Sequence, residues 1–190
     1  MRGVIAFAAV LALAWPAPAG SPARLSVDRE QALVTYVAGL GRSELSGVSR
    51  FLIADVEELP GGDLRVAARV PVRSFESGNA MVDALFRRAL DADRYPEVEF
   101  RGQAKARAGR GQFAVQLEGT ITVHGVARPI SVPVQVVREK GLVFVKAAFP
   151  VDLDAFGVPA PRLGALEVGR RVQIELHALL APVAEVASRG

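Results

Sequence analysis

Residue types that carry chemistry are few in this chain, and their spacing does not gather them. The 190 residues include two histidines, His124 and His177, and no cysteine. Thiolate nucleophiles and cysteine-type zinc sites are thereby excluded. A metal site built on histidine needs three or four ligands and an outer shell to orient them. His124 stands in a His-Gly turn signal, and His177 falls on the polar side of an alternating segment, so nothing places the two together. A turn-stabilising role is the expectation for His124. Two acidic pairs, Asp91 with Asp93 and Asp152 with Asp154, have the residue types for general acid–base work. Each pair lies beside turn signals and basic neighbours such as Arg94, which points to surface ion pairs and turn capping. There is no Gly-x-Ser-x-Gly elbow. The chain reads as a non-enzyme with no catalytic residues, no metal and no cofactor.

The elements around these residues are mostly strands. Apolar and polar residues alternate with a period of two over most of the chain after residue 30. Leu64, Val66, Ala68, Val70 and Val72 share one face, opposed by Arg65, Arg69 and Arg73. Val98 and Phe100 follow the same rule, as do Phe113, Val115, Leu117, Gly119, Ile121 and Val123. Ile130, Val132, Val134 and Val136 form the next face, then Val143, Val145, Ala147 and Phe149. Val172, Ile174, Leu176, Ala178 and Leu180 close the series, against Arg171, Gln173, Glu175 and His177. Upstream, residues 33–40 and 49–56 also read as strands, with a phase blurred by Gly39, Gly41 and Gly47. Pro60-Gly61-Gly62, Gly109-Arg110-Gly111, His124-Gly125 and Lys140-Gly141 separate the runs. About eight strands with one apolar face predict an all-β, mainly antiparallel sheet curled on itself into a barrel.

One helix interrupts the strands, over about residues 79–91. Ser77 and Asn79 are both N-cap candidates, and Asp83 suits the positive end of the helix dipole. Met81, Val82, Leu85, Phe86, Ala89 and Leu90 make the apolar stripe, and Tyr95-Pro96 forbids continuation.

At the N-terminus, Met1-Arg2, an apolar run from Gly3 to Trp15, and Ala17-Pro18-Ala19 have the form of a secretory signal peptide over residues 1–19. The expected cut follows Ala19, which leaves residues 20–190 as one barrel domain in a periplasmic or secreted protein. Removal of that segment takes one charge, Arg2, from a formal balance of +3. The charges of both signs are interspersed, which describes a solvated surface and excludes a nucleic-acid footprint. Charged residues on the polar face of nearly every strand argue against an outer-membrane barrel, whose outward face is apolar.

An apolar interior directs the functional reading to small molecules. Val66, Ala68, Val70, Phe100, Phe113, Val115, Leu117, Val132, Val134, Val145, Ala147, Ile174 and Leu176 are the expected lining of a pore. Small residues at Ala68, Ala147 and Gly119 are expected to leave room for a chain-like lipid. Burial of such a tail gains about 0.8 kcal/mol per methylene, so ten or more carbons need no specific polar contact. The alternative is a filled barrel with no bound lipid, serving as an envelope interaction or stress-protective module.

Several motifs carry a family resemblance. Ser77-Gly78-Asn79, Met81, Asp83, the region of Leu90, Tyr95-Pro96 and Phe100 form the first. The run Gly119 to Val126 with Arg128-Pro129-Ile130 looks like an "LTIHGVTKPV" hairpin, and Ser43 to Phe51 is similar to "SxVxGxF". Phe156-Gly157 and Val168-Gly169 look like "FG…VGDxV". In this order the motifs resemble the YceI-like family of exported bacterial proteins, over essentially the whole mature chain. The resemblance implies a lipocalin-like barrel with a helical insert, a periplasmic location, and an apolar pore for a polyisoprenoid or other long-chain lipid. It also marks a divergent subgroup, since the "RD.HL" and "FFD" residues of the helix are missing and Val151-Asp152-Leu153-Asp154 replaces the usual approach to the Phe-Gly element. The expected partner is a long-chain amphiphile such as a polyisoprenoid, quinone or fatty-acyl lipid, with transient membrane-surface contact and a homodimer left open. The helix and the loop after Gly157 are candidate gates.

Overall fold

The computed structural model describes residues 24–59, 62–105 and 111–182. The expected signal peptide and its cut after Ala19 lie outside the described residues. The alternating segments form strands β1 (Arg24–Leu40), β2 (Ser43–Ser49), β3 (Ile53–Glu58) and β4 (Asp63–Pro71). A short 3-10 turn at Val72–Ser74 leads to helix α1 (Ala80–Ala89). Then come β5 (Glu97–Lys105), β6 (Gly111–Val123), β7 (Val126–Glu139), β8 (Leu142–Asp152), a 3-10 turn at Leu153–Phe156, β9 (Arg162–Leu163) and β10 (Leu166–Pro182).

Neighbouring strands pair antiparallel from β3 through β8 to β10, and β10 returns to β1 to close the sheet. Both β2 and β3 pair with β1, at Leu40↔Ser43 to Val34↔Ser49 and at Ser26↔Asp55 to Arg24↔Glu57. They are two halves of one strand position, broken at Arg50–Leu52, so the described residues form a closed eight-stranded barrel with one α-helix. The β6–β7 and β7–β8 hairpins turn on His124-Gly125 and Lys140-Gly141, each with both residues at positive φ. That is the two-residue turn whose twist matches its flanking strands.

The sequence placed a continuous strand over 49–56, whereas the chain breaks there. Ser49 is fully buried at the end of β2, and its Oγ lies 2.6 Å from Ser74 Oγ while accepting from the Phe51 amide at 3.0 Å. These bonds satisfy a buried hydroxyl and turn the chain out of the ladder. Val72, read as the end of a strand face, instead opens the 3-10 turn and stays buried. In β1 the register against β10 slips between Val27 and Ala32. Leu25 and Val27 therefore face inward at odd numbers, and Val34, Tyr36 and Ala38 do so at even ones. A slip of odd length reverses the face of every later residue, which is why alternation was hard to phase here.

Helix α1 is capped by Asn79, whose side chain accepts from the Met81 and Val82 amides at 3.0 and 3.3 Å. Ser77 donates to Asp83 Oδ1 through its amide and its hydroxyl, at 2.8 and 2.7 Å. The acid thus sits at the positive end of the dipole and ties the preceding turn to it. The helix ends at a left-handed Asp91 (φ 46), several residues before Pro96. Val82 and Leu90 are buried as expected, but Met81 is 69% exposed and stands outside the apolar stripe.

Candidate functional site

The barrel interior is hollow. On β4, Leu64, Val66 and Ala68 point inward yet are only half-buried, and Val145, Ile174 and Leu176 behave the same way on facing strands. In a filled core such apolar side chains would be fully covered by their neighbours. The space divides into two chambers. The first, of ≈ 160 Å³, lies at the end covered by α1. The second, of ≈ 170 Å³, lies at the end formed by the β3–β4 and β7–β8 connections. Leu52, Ala68, Phe100, Ile121, Phe149 and Leu176 line both, forming a waist between them. A water-sized sphere needs roughly 10–15 Å³ of such space, so each chamber has room for on the order of ten chain atoms.

Every expected pore residue lines this space. Val66, Phe113, Val115, Leu117, Val132, Val134, Val145 and Ala147 line the second chamber. Val70 and Ile174 line the first, and Ala68, Phe100 and Leu176 stand at the waist. One detail is corrected. Gly119, expected to leave room for a lipid, leaves none: it pairs with Gly102 across β5 and β6, and a Cβ there would meet Gly102 Cα at 2.7 Å and Phe100 Cζ at 2.9 Å. The Phe100 ring lies over both glycines, which lets a large side chain lie flat along the wall.

Sequence reasoning missed the wall beneath the helix. Tyr36 stacks on Phe86 with ring centroids 4.5 Å apart and an interplanar angle of 2°. Phe75 meets both rings edge-on at 5.6 and 5.4 Å. All three line the first chamber, together with Val82 and Leu85 of α1 and Val158 and Pro161 after the Gly157 turn. Phe75 and Phe86 were visible as aromatics in the sequence, but Tyr36 falls after the β1 slip. Burial, with a contribution from the Asp83 charge, pushes the Tyr36 phenol up to about 12.

The polar candidates make contacts within the frame of the barrel. Asp152 accepts from the Asp154 amide at 3.1 Å, and Asp154 binds Arg170 at 2.7 Å. Asp93 pairs with Arg73, and Asp91 closes the helix. His124 packs edge-on against Tyr95 with centroids 5.0 Å apart, and His177 points outward opposite Leu33 and Lys146. Among the described residues no group of His, Asp or Glu is placed to hold a metal ion.

This bore inside an eight-stranded barrel can be set beside known proteins. The YceI-like domain matches the chain over residues 26–180. The chain belongs to the YceI-like family. Its fold is similar to that of BcnA from Burkholderia cenocepacia, with a TM-score of 0.68, 24% identity, and coverage of 80% of this chain and 98% of that one. A polyisoprenoid binding domain from Saccharophagus degradans, implicated in plant cell wall breakdown, is similar with a TM-score of 0.66 at 11% identity, over 84% of this chain and 98% of that one. A YceI protein from Campylobacter jejuni follows at 0.58 and 15%, over 77% and 90% of the two chains. Such identities establish the shared fold. No curated protein sequence matches the chain.

Within this YceI-like barrel the family motifs do structural work at the helix end. The Tyr95 ring occupies the place that a side chain at Gly125 would need, so the Tyr-Pro segment seats directly on the His-Gly turn. Arg128 Nε donates to the Ala155 carbonyl at 2.9 Å, joining the hairpin to the turn that carries buried Phe156. These motifs clamp the segments that surround the first chamber; the pore residues lie between them.

Proposed function

We propose that this YceI-like protein binds and carries a long-chain amphiphile in its barrel, acting in the periplasm or outside the cell by uptake and release, without catalytic residues. The ligand class is a polyisoprenoid, quinone or fatty-acyl lipid. The observation that carries this reading is the half-buried apolar wall around two chambers that share a waist. An apolar tail replaces water against that wall at a gain of about 0.8 kcal/mol per methylene. The similarity to a domain described as polyisoprenoid binding supports the same ligand class. In this reading α1 and the segment from Val158 to Pro161 form the cover of the first chamber, and the Tyr36, Phe75 and Phe86 rings are its inner surface.

The test is calorimetric titration of the delipidated protein with prenyl alcohols of increasing length. Affinity should rise with each added isoprene unit until both chambers are filled and then level off. Affinity independent of chain length, or no binding at any length, would sink the proposal.

A further inference from the structure

The two ends of the bore differ in chemistry. On β7 the inward residues Val132, Val134 and Val136 are followed in the same phase by Arg138, paired with Gly111 on one side and Val143 on the other. Among the described residues, Arg138 is the only polar side chain lining the second chamber. It also lines a cleft of ≈ 590 Å³ outside that chamber, whose wall shares Leu25, Val56, Leu64 and Val143 with it. The guanidinium therefore stands at the threshold between an apolar tail space and a polar mouth.

Its Nε is buried and has no hydrogen-bond partner among the described residues. A buried N–H left without an acceptor is costly, and the guanidinium fork matches a carboxylate or phosphate. Of the other charges on the cleft among the described residues, Glu139 and Lys140 approach each other at 3.9 Å, which leaves Glu58 as the remaining acid. Glu58 shares the inward phase of Ala54 and Val56 on β3 but lines only the cleft, outside the chamber.

We infer that Arg138 is a head-group anchor: an amphiphile enters tail first through the β7–β8 end, and its anionic head, a phosphate or a carboxylate, rests on the guanidinium. The tail occupies the second chamber and reaches the waist, so the head lies at the end of the barrel remote from α1. Glu58 stands across the mouth and opposes the anion, which limits affinity and favours release. This inference rests on the amphiphile-binding reading and specifies the head group and its orientation.

Three ligands with one tail separate the possibilities: dodecyl phosphate, dodecanoate and dodecanol, titrated calorimetrically into the delipidated mature protein. The two anions should bind about tenfold or more tightly than the alcohol. Arg138→Gln should bring the anions down to the level of the alcohol and change dodecanol affinity far less, with a far-ultraviolet circular dichroism spectrum like that of the wild type showing that the variant is folded. Glu58→Gln should strengthen both anions and leave dodecanol alone. Equal binding of all three ligands by the wild type, or an anion preference that survives Arg138→Gln, overturns the anchor and leaves the lipid-binding reading intact. Failure of every ligand, dodecanol included, overturns both.

Discussion

Ala68→Leu separates a hollow barrel from a filled one. Ala68 lies in the middle of β4, paired with Ala54 and Phe100, and it borders both chambers at the waist. Leucine adds three carbons pointing into the bore. In a hollow barrel those carbons find unfilled space, and the ligand-free protein gains up to about 2 kcal/mol from their burial. In a tightly packed core the same insertion costs about 1–3 kcal/mol through strain. Binding should respond in the opposite sense. The new side chain displaces about three chain carbons of a ligand that crosses the waist, ~2.4 kcal/mol at the usual value per methylene, or roughly fiftyfold in affinity. Dodecanol, short enough to remain in one chamber, should lose much less. The assays are urea unfolding of the delipidated protein and titration with a prenyl alcohol long enough to span both chambers. A variant destabilised by more than about 1 kcal/mol with unchanged long-chain affinity would refute the reasoning.

Other perturbations address the frame around the bore. Gly119→Ala brings a methyl group against the Gly102 backbone and the Phe100 ring, so a loss of about 1–3 kcal/mol is expected, read as a fall in Tm of several degrees. A neutral result would show that β5 and β6 are not so closely apposed. Asn79→Ala removes the acceptor of two helix amides and should cost about 1 kcal/mol, with faster amide exchange confined to α1. Protection unchanged at Met81 and Val82 would contradict that capping role. Tyr36 favours its neutral form in the folded state, so its stabilisation is complete below pH 10 and is lost as pH rises through about 12. Denaturant unfolding across that window should show the decline in wild type and a smaller one in Tyr36→Phe; identical curves would remove the assignment.

The barrel was legible because alternation persists without slip from β4 through β8 and in β10 from Val172 onward. In each of these strands the apolar face of the sequence is the inward face of the structure, and the pore residues follow directly. The reading weakened where the backbone departs from the ladder. The β1 slip between Val27 and Ala32 exchanges inward and outward positions with no glycine to announce it, which hid Tyr36 and with it the aromatic wall. The break at Arg50–Leu52 depends on a hydrogen bond between Ser49 and Ser74, twenty-five residues apart, that no local pattern reveals. Gly119 was read as space because a missing side chain looks like room in a sequence. Across a strand pair it can equally be room already taken, here by the Phe100 ring and the Gly102 backbone. Arg138 shows the opposite case, since its place in the phase of Val132, Val134 and Val136 was visible and its significance needed the chamber.

The central claim is that the barrel holds a long-chain amphiphile in its interior. Organic-solvent extraction of the protein purified from its native host, followed by mass spectrometry against a known amount of protein, tests it most directly. The account predicts one long-chain lipid class at near-stoichiometric ratio, depleted in the Ala68→Leu variant. No lipid above trace level, together with no uptake of added prenyl alcohol or dodecyl phosphate, would contradict it.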